Sequence, residues 1–288
     1  MRLWIALAAG LLCAAWSAPA QVEKPAEQPE EKQPLKNTGK PMVVGYDCGE
    51  EDIRLSGLTC TIEDPCPVFL ELAAVEAVGN RIFAVGNIHS SSATLSSVLL
   101  SSDDAGKTWR EPHERIRLAG LDRIQFVDFE NGWAGGETQH PLPRDPFLLS
   151  TTDGGKTWQA RPIFGEPQFG AIVEFQFSSR AAGHLVIYRG RTGESGPFEL
   201  YETPNAGETW MLRQTSERVI ELMKAKMPNT DWRVRADAAT KSYHIERRAG
   251  DGWRGIAAFS VSIGVCKPPE IPVPPAPPVE AVPTAPQR

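Results

Sequence analysis

The sequence predicts an all-β chain folded as a small or partial β-propeller of about four to five blades. Three observations carry that expectation. A nine-residue box recurs, as SSDDAGKTW at 101–109, STTDGGKTW at 150–158 and ETPNAGETW at 202–210. The box tryptophans Trp109, Trp158 and Trp210 lie 49 and 52 residues apart, a nearly fixed period of the kind that marks repeat architectures. Each box follows three strand-like segments, so a repeat reads strand, turn, strand, loop, strand, box, strand, the antiparallel unit of a propeller blade.

The chain has 288 residues, 25 of them proline, and a net charge of −6. Residues 1–20 read as a secretory signal: Arg2 supplies the positive start, Leu3 to Trp16 the apolar stretch, and Ala18-Pro19-Ala20 the small residues before Gln21. Cleavage near Ala20 and an exported location, periplasmic or extracellular, are therefore expected. An uncleaved anchor is the alternative. Cys13 is preceded by Leu12, where a lipobox wants a small residue. No other apolar run is long enough to span a membrane. The acidic balance argues against a nucleic-acid partner, which needs clustered Lys and Arg.

Residues 21–42 mix Glu, Lys, Gln and Pro with few apolar side chains, the composition of a disordered linker. Residues 267–288 hold 9 prolines in 22 positions and are expected to form a disordered, polyproline-type tail. The domain expected between them is 43–266. Its segments follow in order. Residues 72–78 and 80–86 precede the strand 98–100 and the first box. Residues 123–129 and 131–136 precede 147–149 and the second box. Residues 172–177 and 182–188 precede 198–201 and the third. Alternation of apolar and polar residues in 123–129 and 172–177 is that of half-buried strands. A helix is expected over 216–227, where Val219, Ile220, Met223 and Met227 share a face. A degraded fourth repeat is read over 241–265, with Trp253 in the place of the box tryptophan 43 residues after Trp210. The stretch 43–70 is expected to complete the last blade by pairing with the C-terminal strand, with an open, incomplete ring or a dimer as the alternative.

Four cysteines remain in the mature chain, Cys48, Cys60, Cys66 and Cys266, which in an exported protein suggests two disulfides of open connectivity. If all four pair, Cys266 must bond back to the N-terminal segment. No histidine stands at zinc-site spacing from them, so no metal and no cofactor is expected.

The box residues are read as structural. Asp104, Asp153 and Asn205 accept backbone hydrogen bonds in a tight turn. Gly106, Gly155 and Gly207 supply left-handed conformations. Ser102, Thr151 and Thr203, with Thr108, Thr157 and Thr209, close local hydrogen bonds, and Trp109, Trp158 and Trp210 pack between sheets. The pattern S/T-x-D-x-G-x-T-W resembles the Asp-box, or bacterial neuraminidase repeat. NGWAGG at 131–136 followed by STTDGGKTW resembles the repeat of the photosystem II stability and assembly factor family. The resemblance covers about 70–265 and implies a propeller with its box hairpins at the periphery. It also implies a range of activities, from sialidases to lectins to assembly factors.

A sialidase would need three arginines, a tyrosine–glutamate pair and an aspartate, and the arginine-containing signature expected before the first box is absent. Asp122, Asp128, Glu137 and Glu174 are the carboxylates that would have to pair for glycoside hydrolysis. Arg180, Arg189 and Arg191 form the candidate binding patch, suited to carboxylates or an acidic partner segment. The function read from these features is a non-catalytic scaffold or assembly factor that binds an envelope protein. A carbohydrate-binding module or divergent sialidase-like glycosidase, with a glycan as ligand, is the alternative.

Overall fold

In the computed structural model, residues 33–139, 142–190, 196–222 and 231–268 are described. The signal, the first part of the expected linker, Arg191, the last five residues of the expected helix and the tail from 269 lie outside the described residues.

The first sheet holds β2 (Cys66–Val78), β3 (Arg81–His89) and β4 (Thr94–Ser102), and β17 (Ser262–Cys266) lies along β2. The second holds β6 (Ala119–Phe126), β7 (Gly132–Gln139), β8 (Pro143–Thr151) and β9 (Gln159–Pro162). The third holds β10 (Ala171–Phe177), β11 (Gly183–Tyr188), β12 (Phe198–Thr203) and β13 (Met211–Ser216). The fourth holds β14 (Trp232–Asp237), β15 (Ser242–Ala249) and β16 (Gly252–Ser260). All neighbours within these sheets are antiparallel. These sheets are the blades of a small β-propeller.

Three apolar clusters bind the blades in the order fourth, first, second, third. Leu70, Ile82 and Trp109 pack with Ile245 and Phe259; Phe83 and Leu99 with Phe126 and Trp158; Trp133 and Leu148 with Phe177 and Leu185. The same bulge recurs at Ala73 in β2, Asp122 in β6 and Val173 in β10, each skipped in the pairing with its neighbour. In the first two blades a glycine faces the bulge. A Cβ at Gly86 would lie 1.8 Å from the Glu71 carbonyl oxygen, and one at Gly136 1.9 Å from that of Gly120.

Each box joins the third strand of its blade to the fourth and leans on the preceding blade. A Cβ on Gly155 would lie 2.3 Å from Phe83 in the first blade, and one on Gly106 2.6 Å from Ile256 in the fourth. The last two residues of the first box form β5 (Thr108–Trp109), which pairs with β1 (Leu35–Lys36).

Four expectations need correction. The linker ends earlier than residue 42, because short-range polar and single apolar anchors order its last residues. Asn37 Nδ2 donates to Gly106 O at 2.9 Å and to Ile256 O at 2.8 Å, joining the first and fourth blades. Met42 is buried and bridges to Phe259 in parallel. The domain accordingly begins near residue 33 rather than 43. Trp253 is not a box tryptophan: Gly250 and Gly252 turn the hairpin between β15 and β16, the second and third strands of their blade. The end of the degraded repeat read over 241–265 does not stay in one blade, because the chain leaves the fourth blade at Val261 and crosses to the first. Finally, Ser216 closes β13 and the described residues 217–222 are not helical.

β17 lies antiparallel to the start of β2, with Cys266 opposite Cys66, so 43–70 does pair with the C-terminal strand, but in the first blade rather than the last. The disulfides are Cys48–Cys266 and Cys60–Cys66. Between them lies α1 (Glu50–Ser56), where Gly49 N–H donates to the Asp52 carboxylate at 2.9 Å and Gly57, at φ 69°, ends the helix.

Candidate functional site

The box side chains are engaged in their own turns. In the second box Gly155 N–H donates to Thr151 Oγ1 at 2.9 Å, and Lys156 and Thr157 N–H donate to Asp153 Oδ1 at 3.0 Å. Thr157 Oγ1 donates to Asp153 Oδ2 at 2.6 Å, and Trp158 Nε1 to Gly155 O at 3.2 Å. The first box repeats this through Ser102, Asp104, Gly106, Thr108 and Trp109. Partial burial raises the Asp104 and Asp153 pKa values, but the hydroxyl and N–H donors outweigh it and hold both carboxyls at about 2. In the third box Asn205 Oδ1 accepts from Thr209 N–H at 3.0 Å and Gly207 N–H donates to Thr203 Oγ1 at 3.0 Å. Trp210 Nε1 is buried there without an acceptor.

Of the candidate arginine patch, Arg180 and Arg189 are not brought together, and Arg191 lies outside the described residues. Arg180 and Arg189 flank opposite ends of β11, separated by about 20 Å of strand. Arg180 pairs with Asp128 at 2.9 Å. Asp128 caps its turn by accepting from Glu130 and Asn131 N–H, and these bonds hold its carboxyl far below the usual range against partial burial. Arg189 donates to Gln168 Oε1 at 2.6 Å, pairs with Glu199 at 3.4 Å and lies 4.9 Å from the Phe164 ring centre. It is a brace within the third blade.

Two of the four candidate carboxylates are electrostatically linked. The Asp122 charge, at the bulge of β6, acts on Glu137, buried on β7. Glu137 accepts from Gln139 Nε2 at 3.0 Å and from Ile172 N–H at 3.3 Å, the latter on the next blade. Burial and then the Asp122 charge push the Glu137 carboxyl up to about 7 against these bonds and Arg123. Lost hydration and the Glu71 charge raise Asp122 as well. Glu71 accepts from Asn87 Nδ2 at 3.1 Å, and burial together with the Glu71 charge raises Tyr243 on the fourth blade. Three carboxyls and one tyrosine from three blades are thus linked through their charges. Sequence reasoning missed Glu71; the available signal was its place just before a bulge that recurs in later repeats. Glu174 stands apart from these four, on β10 opposite Val186.

A groove of about 350 Å³ lies where the second and third blades meet. Leu142, Pro143, Phe169, Ala171, Tyr188 and Arg189 line it. Leu142, Phe169 and Tyr188 are 58%, 50% and 43% exposed, an apolar grouping unlike the charged surface around it. Its walls are fixed. Gly170 N–H donates to Pro143 O at 3.0 Å, Arg144 lies 5.7 Å from the Phe169 ring centre, and Tyr188 packs on Phe198 at 5.2 Å. Loop residues that scatter in sequence build this groove, so no periodic signal announced it. Among the described residues no cluster of His, Cys, Asp and Glu has the geometry to hold a metal, and no helix is long and apolar enough to cross a membrane.

No protein-family model matches the chain, and no curated protein does. Solved structures that it resembles include YCF48 bound to a D1 peptide, at 18% identity and a TM-score of 0.39 over 66% of this chain and 56% of that one. A GH74 xyloglucanase from Xanthomonas campestris aligns at 18% identity and a TM-score of 0.35, over 47% of this chain and 19% of the enzyme. YCF48 from Cyanidioschyzon merolae aligns at 13% identity and a TM-score of 0.34 over 66% of this chain. The chain thus spans 51% to 56% of the length of the two YCF48 structures it matches.

Proposed function

We propose that this chain is an exported, non-catalytic scaffold or assembly factor that binds a protein of the cell envelope through the groove at Phe169 and Tyr188. One observation carries the reading: a rigid framework presents three large apolar side chains to solvent side by side. Buried aromatic anchors of this kind supply most of the energy in protein interfaces. The box residues, by contrast, are spent inside their turns. Export rests on the N-terminal signal pattern and fits the two disulfides.

The test is capture of an envelope protein by the immobilised, oxidised mature chain. Phe169→Ala/Tyr188→Ala is expected to lose the captured protein with an unchanged thermal melt, whereas Phe129→Ala, exposed at the opposite end of the blades, is expected to keep it. Capture that survives the double substitution overturns the assignment to this groove.

The carbohydrate reading has one observation in its favour, a buried carboxyl, Glu137, raised to about 7 by burial and then by the Asp122 charge. It requires that an added oligosaccharide be bound or cleaved and that Glu137→Gln abolish this. Glu137 already has protein donors on both oxygens, which favours a role in joining the second and third blades.

A further inference from the structure

We propose that the groove is occupied in the free chain by the chain's own apolar proline run, residues 271–279. That run reads IPVPPAPPV, nine residues without a charge, bounded by Glu270 and Glu280. The described chain ends just after Cys266, at Lys267 and Pro268. This exit lies on the same face of the propeller as the groove, as a relay of pairings establishes. Cys266 is opposite Cys66 at the start of β2, and Phe69 of β2 is opposite His89 at the end of β3. Leu118 N–H then donates to Leu95 O, Gln139 N–H to Leu118 O, and Gly170 N–H to Pro143 O in the groove wall.

Reach and chemistry both fit. At about 3.1 Å per residue, extended polyproline chain carries the middle of the run about 22 Å from Pro268 and its end about 34 Å. A domain of this size is on the order of 45 Å across. Proline-rich segments dock in aromatic-lined grooves because their backbone is already extended and loses little entropy, and Phe169 and Tyr188 offer the ring faces. Tethering gives the run an effective concentration in the millimolar range, so weak contacts suffice to fill the groove. A partner must then displace it. Only this regulatory consequence rests on the groove being the partner site.

The experiment places a photoreactive benzophenone amino acid at position 169 of the full chain. Irradiation is expected to link position 169 to residues 271–279 of the same molecule, as mapped by mass spectrometry on the monomer band. Tyr188→Ala is expected to lower the yield several-fold, and the same group at position 129 to give no such link. Links only to the folded blades, links to the tail of a second molecule, or no link at all overturn the proposal. A failed link together with Tyr188-dependent capture of a partner leaves the scaffold reading standing. A clean link with no Tyr188-dependent partner sinks the scaffold reading and keeps the tail in the groove.

Discussion

Arg81, at the start of β3 in the first blade, donates to the carbonyl of Gly154 in the second box at 2.7 Å, and also to the carbonyl of Phe129. The third box is gripped in the same way, by Trp133 Nε1 of the second blade donating to Ala206 O at 3.1 Å. The first box is held by Asn37. The box is therefore a latch, and its turn carbonyl is the part that a donor from outside the box holds.

Breaking one latch should loosen one seam. Arg81→Ala leaves two carbonyls without their charged donor and is expected to cost about 1–3 kcal/mol. Urea unfolding monitored by tryptophan fluorescence measures it. A change below a few tenths of a kcal/mol would show that water replaces the guanidinium at no cost.

The box tryptophans should differ in value. Trp158 is buried between Phe83 and Phe126 with its indole N–H bonded, so Trp158→Ala is expected to cost about 3–5 kcal/mol. Trp158→Phe should also lose a hydrogen bond, about 1 kcal/mol, whereas Trp210→Phe has none to lose and removes a buried unpaired donor. Equal losses for the two phenylalanine variants would contradict this ordering.

Stability should fall with pH through Glu137. Its pKa is about 7 folded against about 4.5 in the open chain, so the native state holds the extra proton between those values. The native state is unpenalised below about 4.5 and loses stability as pH rises toward and through 7, by at most about 3 kcal/mol. Glu137→Gln is expected to flatten the melting temperature between pH 5 and pH 8. A wild-type melting temperature that rises over that range would refute the assignment.

The two disulfides should contribute unequally. Cys48–Cys266 closes a loop with a sequence separation of 218, and Cys60–Cys66 one of 6. In the chain-entropy model the first contributes roughly 5 kcal/mol and the second about 2 kcal/mol. Paired serine substitutions at each bridge, compared by denaturant midpoint, test the order.

Legibility followed how many residues a feature uses. The boxes were readable because Asp, Gly, Thr and Trp at fixed offsets each answer one demand of a single turn. The strands before them were readable from alternation. The outer anchoring of the N-terminal segment was not, because it depends on single residues, Asn37 and Met42, in a stretch of otherwise polar composition. Trp253 misled because glycine, tryptophan and spacing imitate a box, while its ring instead stacks against Arg233 at 4.1 Å. The electrostatic link among Glu71, Asp122, Glu137 and Tyr243 depends on which strands of different blades pack side by side. The groove required knowing which loops share a face.

β17 has a consequence for the order of events during folding. The second and third blades each consist of consecutive strands and can assemble as soon as those strands exist. The first blade cannot: residues 67–69 of β2 wait for the strand that ends at Cys266. Until it arrives, the blade offers an unpaired edge to any passing strand, a hazard during slow, non-local assembly. Folding of this chain is thus committed late, by the element made last among the described strands.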